Sequence, residues 1–231
     1  MKPGAIFTAQ ISGKAVVPIA RKLIDLGFDL MATPGTGGFL AENGGFAEAV
    51  TTAGILFIGP SAEAIRLTDG KSADLPAVND IYNHYVATST VTFDEHPLSL
   101  AAYQAKAGLI REHGHPFIVA ADASGAVLGY AYTSPWRPRA AYRHTAESSI
   151  YLAEEATGQG LGRVLLTDLI DRSRAAGIRE LIAVIADEGA DSSVALHWKL
   201  GFREAGHLTR VGFKFERWLG TIIMQKSLDE G

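Results

Sequence analysis

The chain has 231 residues, 47% hydrophobic and 20% charged, which is enough apolar material for one well-buried domain plus an appendage and argues against disorder. Its formal net charge of −4 excludes a general attraction to nucleic-acid phosphates or anionic membrane surfaces, so small molecules are the expected partners. The absence of cysteine excludes disulfides, thiolate metal sites and cysteine nucleophiles, and no metal is expected.

Residues 5–9 and 28–32 read as short strands, and between them Val16, Val17, Ile19, Ala20, Leu23, Ile24 and Leu26 recur at helical spacing, a βαβ-like pattern. Gly35, Gly37 and Gly38 break it; 46–53 reads as a short helix and 55–58 as a buried strand closed by Gly59-Pro60. Polar Gln10, Ser12 and Lys14 interrupt the start before a signal peptide develops, and apolar runs such as 181–186 are too short to span a bilayer. The cytoplasm is the default compartment.

From residue 64 the pattern becomes a mixed sheet. Strand 64–68, helices 74–87 and 98–113 and strand 116–121 lead into a hairpin at Ala123-Ser124-Gly125 and strand 126–134. A strand at 145–152 follows, then helix 161–176, whose Gly177 suits a left-handed cap. Strand 180–186, helix 191–200 and strands 205–216 and 221–227 complete the chain.

The strongest local signal is Thr157-Gly158-Gln159-Gly160-Leu161-Gly162-Arg163, between a strand and an amphipathic helix. Glycine backbone ahead of a helix N-terminus can close around a pyrophosphate, because unpaired N–H groups and the positive end of the helix dipole point at it. A glycine turn of purely structural purpose fits the same letters. A Rossmann site fits poorly, since the third glycine of Gly-x-Gly-x-x-Gly is replaced by Leu165.

Downstream stands Ser193-Val194-Ala195-Leu196-His197-Trp198-Lys199-Leu200-Gly201-Phe202. Together with the glycine turn this is similar to the cofactor-binding core of the GNAT superfamily. Within it the chain most resembles the phosphinothricin and methionine sulfoximine acetyltransferases. The segments that carry the likeness are 79–86, 90–93, 129–132, 134–142, 147–151 and 211–219, in the family's order.

The resemblance implies an α/β fold with a mixed, mostly antiparallel central sheet flanked by helices. It implies an N-acetyltransferase that takes acetyl-CoA as co-substrate, a small amino-acid-like acceptor and a homodimer. Ile150, Tyr151 and Leu152 would offer strand backbone to the pantetheine arm, and Gly158, Gln159, Gly160, Leu161, Gly162 and Arg163 would hold the pyrophosphate. Arg137, Pro138, Arg139, Glu147, Ser148 and Ser149 would form the acceptor site, where arginine forks suit a carboxylate or phosphinate. Glu147 is a candidate base, acting directly or through a water, or else a carboxylate that ties down a neighbouring arginine or hydroxyl. His197 falls where many members place a tyrosine that protonates the departing thiolate; a histidine satisfied by its own helix is the other reading.

Three departures from the family stand out. Thr157 replaces the usual Gln or Arg, Ala190 the usual asparagine, and Gly220 the aspartate of Trp-Leu-Asp. They leave room for two rival readings, an acetyltransferase for another amine or a catalytically silent acyl-CoA or phosphate-metabolite binder. Residues 1–63 form a composite α/β appendage, expected to be non-catalytic, ahead of an acetyltransferase domain at 64–231. Its first part resembles the methylglyoxal-synthase-like domain of carbamoyl-phosphate synthases, which would nominate Lys14, Thr33 and Thr36 for phosphate. Residues 38–65 resemble the N-terminal domain of biotin carboxylases.

Overall fold

The computed structural model describes residues 65–229 and the strand backbones at 30–32, 49–50 and 56–58. The chain divides into two compact units, residues 1–68 with 120–126, and residues 69–119 with 127–231. In the smaller unit β1 (Leu30–Ala32) runs antiparallel to β3 (Leu56–Ile58), which runs antiparallel to β2 (Ala49–Val50); β2 in turn meets β4 (Arg66–Asp69) in parallel. Ala49 and Val50 are therefore strand rather than part of the helix expected at 46–53, since pairing to β3 decides what a short apolar run leaves ambiguous. The strand at 5–9, the helix at 16–26 and Lys14, Thr33 and Thr36 lie outside the described residues.

The larger unit opens with α1 (Leu75–Thr88) and α2 (Leu100–Glu112), followed by β5 (Phe117–Ala121, of which the larger unit holds the first three residues), β6 (Val127–Pro135) and β7 (Thr145–Leu152). Then come α3 (Leu161–Ala175), β8 (Glu180–Ala186), α4 (Asp191–Lys199), β9 (Arg203–Lys214) and β10 (Arg217–Ser227). The sheet order is β5-β6-β7-β8-β10-β9. The β6–β7, β8–β10 and β10–β9 pairs are antiparallel and β7–β8 is parallel, the mixed α/β architecture that the resemblance implies.

Local chemistry explains the elements. In α1, Leu75, Val78, Tyr82 and Val86 recur three or four apart and bury one stripe, while Pro76 sits in the first turn, where its missing N–H costs nothing. The Ser99 hydroxyl caps α2 by accepting from Ala102 N at 3.2 Å. Gly177, at φ 82°, ends α3: its N–H reaches Arg174 O, and Ile178 N–H reaches back to Ser173 O. The main core lies between α1 and α2 and one sheet face, with Tyr103, Phe117, Val119, Tyr130 and Tyr132 at its centre. On the opposite face Gly162 lets α3 approach its neighbours; a Cβ there would stand 3.3 Å from Leu196 and within 4 Å of Ile150 and Leu152. No helix among the described residues is long and apolar enough to cross a membrane, and no group of three metal-ligating side chains occurs among them.

Candidate active site

β7 organises the site. It pairs with β6 along its whole length, from Ala146–Pro135 to Leu152–Gly129, but with β8 only from Thr145–Glu180 to Ser148–Ala183. Beyond Ser148 the parallel strands part, so the β8-facing main chain of Ser149, Ile150, Tyr151 and Leu152 is free of the sheet ladder. Unpaired strand backbone is a ready acceptor for an extended amide chain. The Leu152 carbonyl is already engaged, accepting from the Tyr85 hydroxyl at 2.8 Å.

Alternation along β7 puts Glu147, Ser149 and Tyr151 on the face of α1 and α2, and Ala146, Ser148, Ile150 and Leu152 on the face of α3. Glu147 stands opposite Ser134 of β6, half-buried. Burial pushes its carboxyl above the ordinary glutamate range, and the positive charges of Lys106 and then Arg137 pull part of the way back. Ser148, expected beside an acceptor, turns to the other face and donates its hydroxyl to Ile182 O at 3.3 Å. Arg137, Pro138 and Arg139 form an exposed loop after β6, in which the Arg137 guanidinium lies 4.6 Å from the Trp136 ring.

A tyrosine layer floors this face. Tyr130 and Tyr132 stack in parallel at 6.2 Å, Tyr151 stacks on Tyr130 at 5.4 Å, and Tyr82 meets Tyr151 edge-on at 5.3 Å. The Tyr82 hydroxyl donates to Asp94 at 2.6 Å, and burial followed by that carboxylate raises its pKa, which keeps it protonated. Sequence reasoning passed over Tyr132 and Lys106. The signal for the first was available, because Tyr130 and Tyr132 are two apart in a strand and must share a face.

The glycine turn has the geometry for a diphosphate. Gly158 and Gly160 adopt left-handed φ of 74° and 84°, and Gly160 forms the N-cap of α3 without a side-chain cap. Among the described residues the N–H groups of Gly158, Gln159, Gly160, Leu161 and Gly162 meet no protein acceptor, and a Cβ at Gly158 would meet open space. Thr157 and Gln159 are exposed and bond back to the preceding turn: the Thr157 hydroxyl donates to Glu154 O and the Gln159 amide to Glu155 O, both at 2.7 Å. The residues present thus fit a diphosphate held by main chain, with Arg163 half-buried at the helix start.

His197 is only 2% exposed. Its Nδ1–H donates to Ser193 O at 2.8 Å, and its ring meets Phe202 edge-on at 4.8 Å. Burial lowers its pKa, so the neutral imidazole is favoured with its lone pair on Nε2. No hydrogen bond or ion pair joins it to Glu147 among the described residues. Ala190, the N-cap of α4, is buried and supplies no side-chain cap.

Comparison with known proteins gives the family. The pattern of the acetyltransferase (GNAT) family matches residues 78–202, and that of the biotin carboxylase N-terminal domain matches residues 12–65. A phosphinothricin N-acetyltransferase of Alcaligenes faecalis is 46% identical over 158 residues, covering 68% of this chain and 80% of its own. An L-methionine sulfoximine/L-methionine sulfone acetyltransferase of Pseudomonas aeruginosa is 42% identical over 163 residues, 71% of this chain and 94% of its own. The crystal structure of a GNAT superfamily phosphinothricin acetyltransferase from Sinorhizobium meliloti, in complex with acetyl-CoA, superposes with a TM-score of 0.69 at 45% identity, covering 72% of this chain and 90% of that one. With its parted parallel strands, glycine turn and half-buried acid, this chain belongs to the GNAT acetyltransferase family.

Proposed function

We propose that this chain transfers the acetyl group of acetyl-CoA to the amino group of phosphinothricin, methionine sulfoximine or methionine sulfone. The observation that carries the reading is Glu147: a half-buried carboxylate whose pKa is raised by burial and drawn part of the way back by the charges of Lys106 and Arg137, on the strand whose far end leaves the sheet. The 42–46% identity to enzymes named for these acceptors supports the substrate class.

Acetyl-CoA supplies the thioester. The N–H groups from Gly158 to Gly162 hold its diphosphate, and the freed main chain of Ser149 to Leu152 receives its pantetheine arm. Arg137 and Arg139 bind the acceptor's carboxylate, and Glu147 takes a proton from its ammonium so that the nitrogen lone pair is free. As the new C–N bond forms and the C–S bond breaks, the nitrogen sheds its second proton and the sulfur leaves as a thiolate that takes one up. His197 would deliver that proton only from Nε2, after first taking one up, because its Nδ1–H is committed to Ser193 O.

In this reading residues 64–231 are the catalytic domain and 1–63 a non-catalytic appendage. The enzyme works in the cytoplasm, where acetyl-CoA is available. It pairs as a homodimer through the exposed apolar residues Val211, Phe213 and Trp218 on one face of β9 and β10. To test the activity, the protein is incubated with acetyl-CoA and each acceptor, with a polyamine and a peptide N-terminus as controls. Thiol release and product mass are followed, and silence across the three named acceptors refutes the assignment.

A further inference from the structure

A cation that no motif singles out lies on the same face as Glu147. Lys106 of α2 is half-buried, its Nζ 4.9 Å from the ring centre of Tyr82, 5.1 Å from Tyr132 and 5.6 Å from Tyr103. Its place is fixed by the buried residues on either side of it in the helix, Tyr103, Ala107 and Ile110. Aromatic faces hold an ammonium through their quadrupoles yet offer its N–H groups no strong acceptor. No carboxylate forms an ion pair with it among the described residues. Its charge acts on Glu147 more strongly than that of Arg137 does. A lysine kept for solubility would extend into water; this one lies along the tyrosines that floor the site.

We infer that Lys106 is a second cationic anchor of the acceptor site, binding the distal anionic group of an amino acid that carries two, and thereby sets acceptor specificity. The inference rests on the proposed acetylation of small amino acids. The charges match by count. Phosphinothricin carries a carboxylate, a phosphinate and an ammonium; Arg137 with Arg139 takes the first, Lys106 the second and Glu147 faces the third. Methionine sulfone offers Lys106 only a neutral dipole, which an ammonium binds far less strongly than an anion.

The test uses the full chain and its Lys106→Gln and Lys106→Arg variants, with phosphinothricin and methionine sulfone as acceptors. Steady-state kinetics is paired with calorimetric binding of each acceptor to the CoA-loaded protein. Lys106→Gln is expected to lower kcat/KM for phosphinothricin by about tenfold or more, mainly through KM, and for methionine sulfone by about twofold or less. Lys106→Arg should restore most of the difference, with thermal midpoints unchanged. Equal losses for the two acceptors, no loss, or a loss confined to kcat with the acid limb displaced for both would overturn the inference. If the wild type turns over neither acceptor, nor methionine sulfoximine, the acetylation reading fails and calorimetry decides this one. Selective loss of phosphinothricin binding in Lys106→Gln upholds it; unselective loss or no binding overturns it.

Discussion

The carboxylate of Asp187, at the end of β8, occupies the space that a side chain at Gly220 of β10 would need. Oδ1 accepts from Gly220 N at 2.8 Å and Oδ2 from His207 Nε2 at 2.9 Å, while a Cβ at position 220 would collide with Asp187 and stand 2.5 Å from Leu208 O. Where the resembled family has the aspartate of Trp-Leu-Asp, this chain thus has no room for a side chain, because Asp187 fills the space. Gly220→Asp should destabilise the fold by about 2–3 kcal/mol through overpacking and like charge. Combining it with Asp187→Gly should recover much of that. Urea unfolding of the two single variants and the double variant measures the coupling.

Glu147→Gln should lower kcat by about two to four orders of magnitude and leave the KM for acetyl-CoA within about twofold, since a general base contributes on that scale and the diphosphate is held elsewhere. The sign of the pH effect follows from the raised pKa. Protonation removes the base, so kcat/KM should climb with pH through a value above the ordinary glutamate range, and that limb should vanish in the variant. An acid limb that persists in Glu147→Gln would assign it to another group.

Gly158 tests main-chain recognition of the diphosphate. Its φ of 74° is costly for any side chain, although a Cβ there meets open space. Gly158→Val should therefore raise the KM for acetyl-CoA by about tenfold or more while the fold survives. Thr157→Ala, in contrast, removes a hydroxyl already spent on Glu154 O and should change that KM by less than about threefold.

Parts of this were legible in the letters and parts were not, for reasons of range. The glycine turn and Glu147 sit in contiguous motifs, and strand 180–186 and the cap at Gly177 follow from local periodicity and backbone preference. The parting of β7 from β8 after Ser148 depends on register across distant strands. The approach of Lys106 to Tyr132 depends on how α2 packs. The orientation of Ser148 follows from counting outward from Glu147 in steps of one, yet only the structure shows which face meets α1. The turn between the last two strands falls at Phe215-Glu216 rather than at 217–220, because this turn holds neither the glycine nor the asparagine by which a tight hairpin is read.

That turn is itself a lever on stability. Phe215 and Glu216 hold positive φ of 50° and 59° between Lys214 and Arg217, the paired residues that close a two-residue hairpin. Such a turn favours Asn-Gly, and each side chain held there costs of order 1 kcal/mol. Replacing the pair by Asn-Gly should raise the thermal midpoint by about 2–4 °C, the shift that about 1 kcal/mol gives in a chain of this size. The gain is offset in part by the lost contact of Lys214 Nζ with the Phe215 ring at 4.9 Å. Scanning calorimetry of the two proteins decides it.

His197 joins stability to pH. Its folded pKa lies below the free value, so the unfolded chain binds the proton first as pH falls through about 6.5. The stability from this group is full above that pH and is lost as pH descends toward the folded value. Its contribution to the slope approaches about 1.4 kcal/mol per pH unit where only the unfolded chain is protonated. His115, half-buried and accompanied by His113, acts in the same direction and keeps part of the slope in any His197 variant. His197→Phe should flatten the fall in unfolding free energy between about pH 6.5 and 5, leaving the His115 share. Its effect on turnover separates the two roles. A loss of about a hundredfold in kcat that grows with a poorer leaving thiol marks His197 as the acid for the sulfur, whereas near-normal kcat marks it as a packing residue of α4.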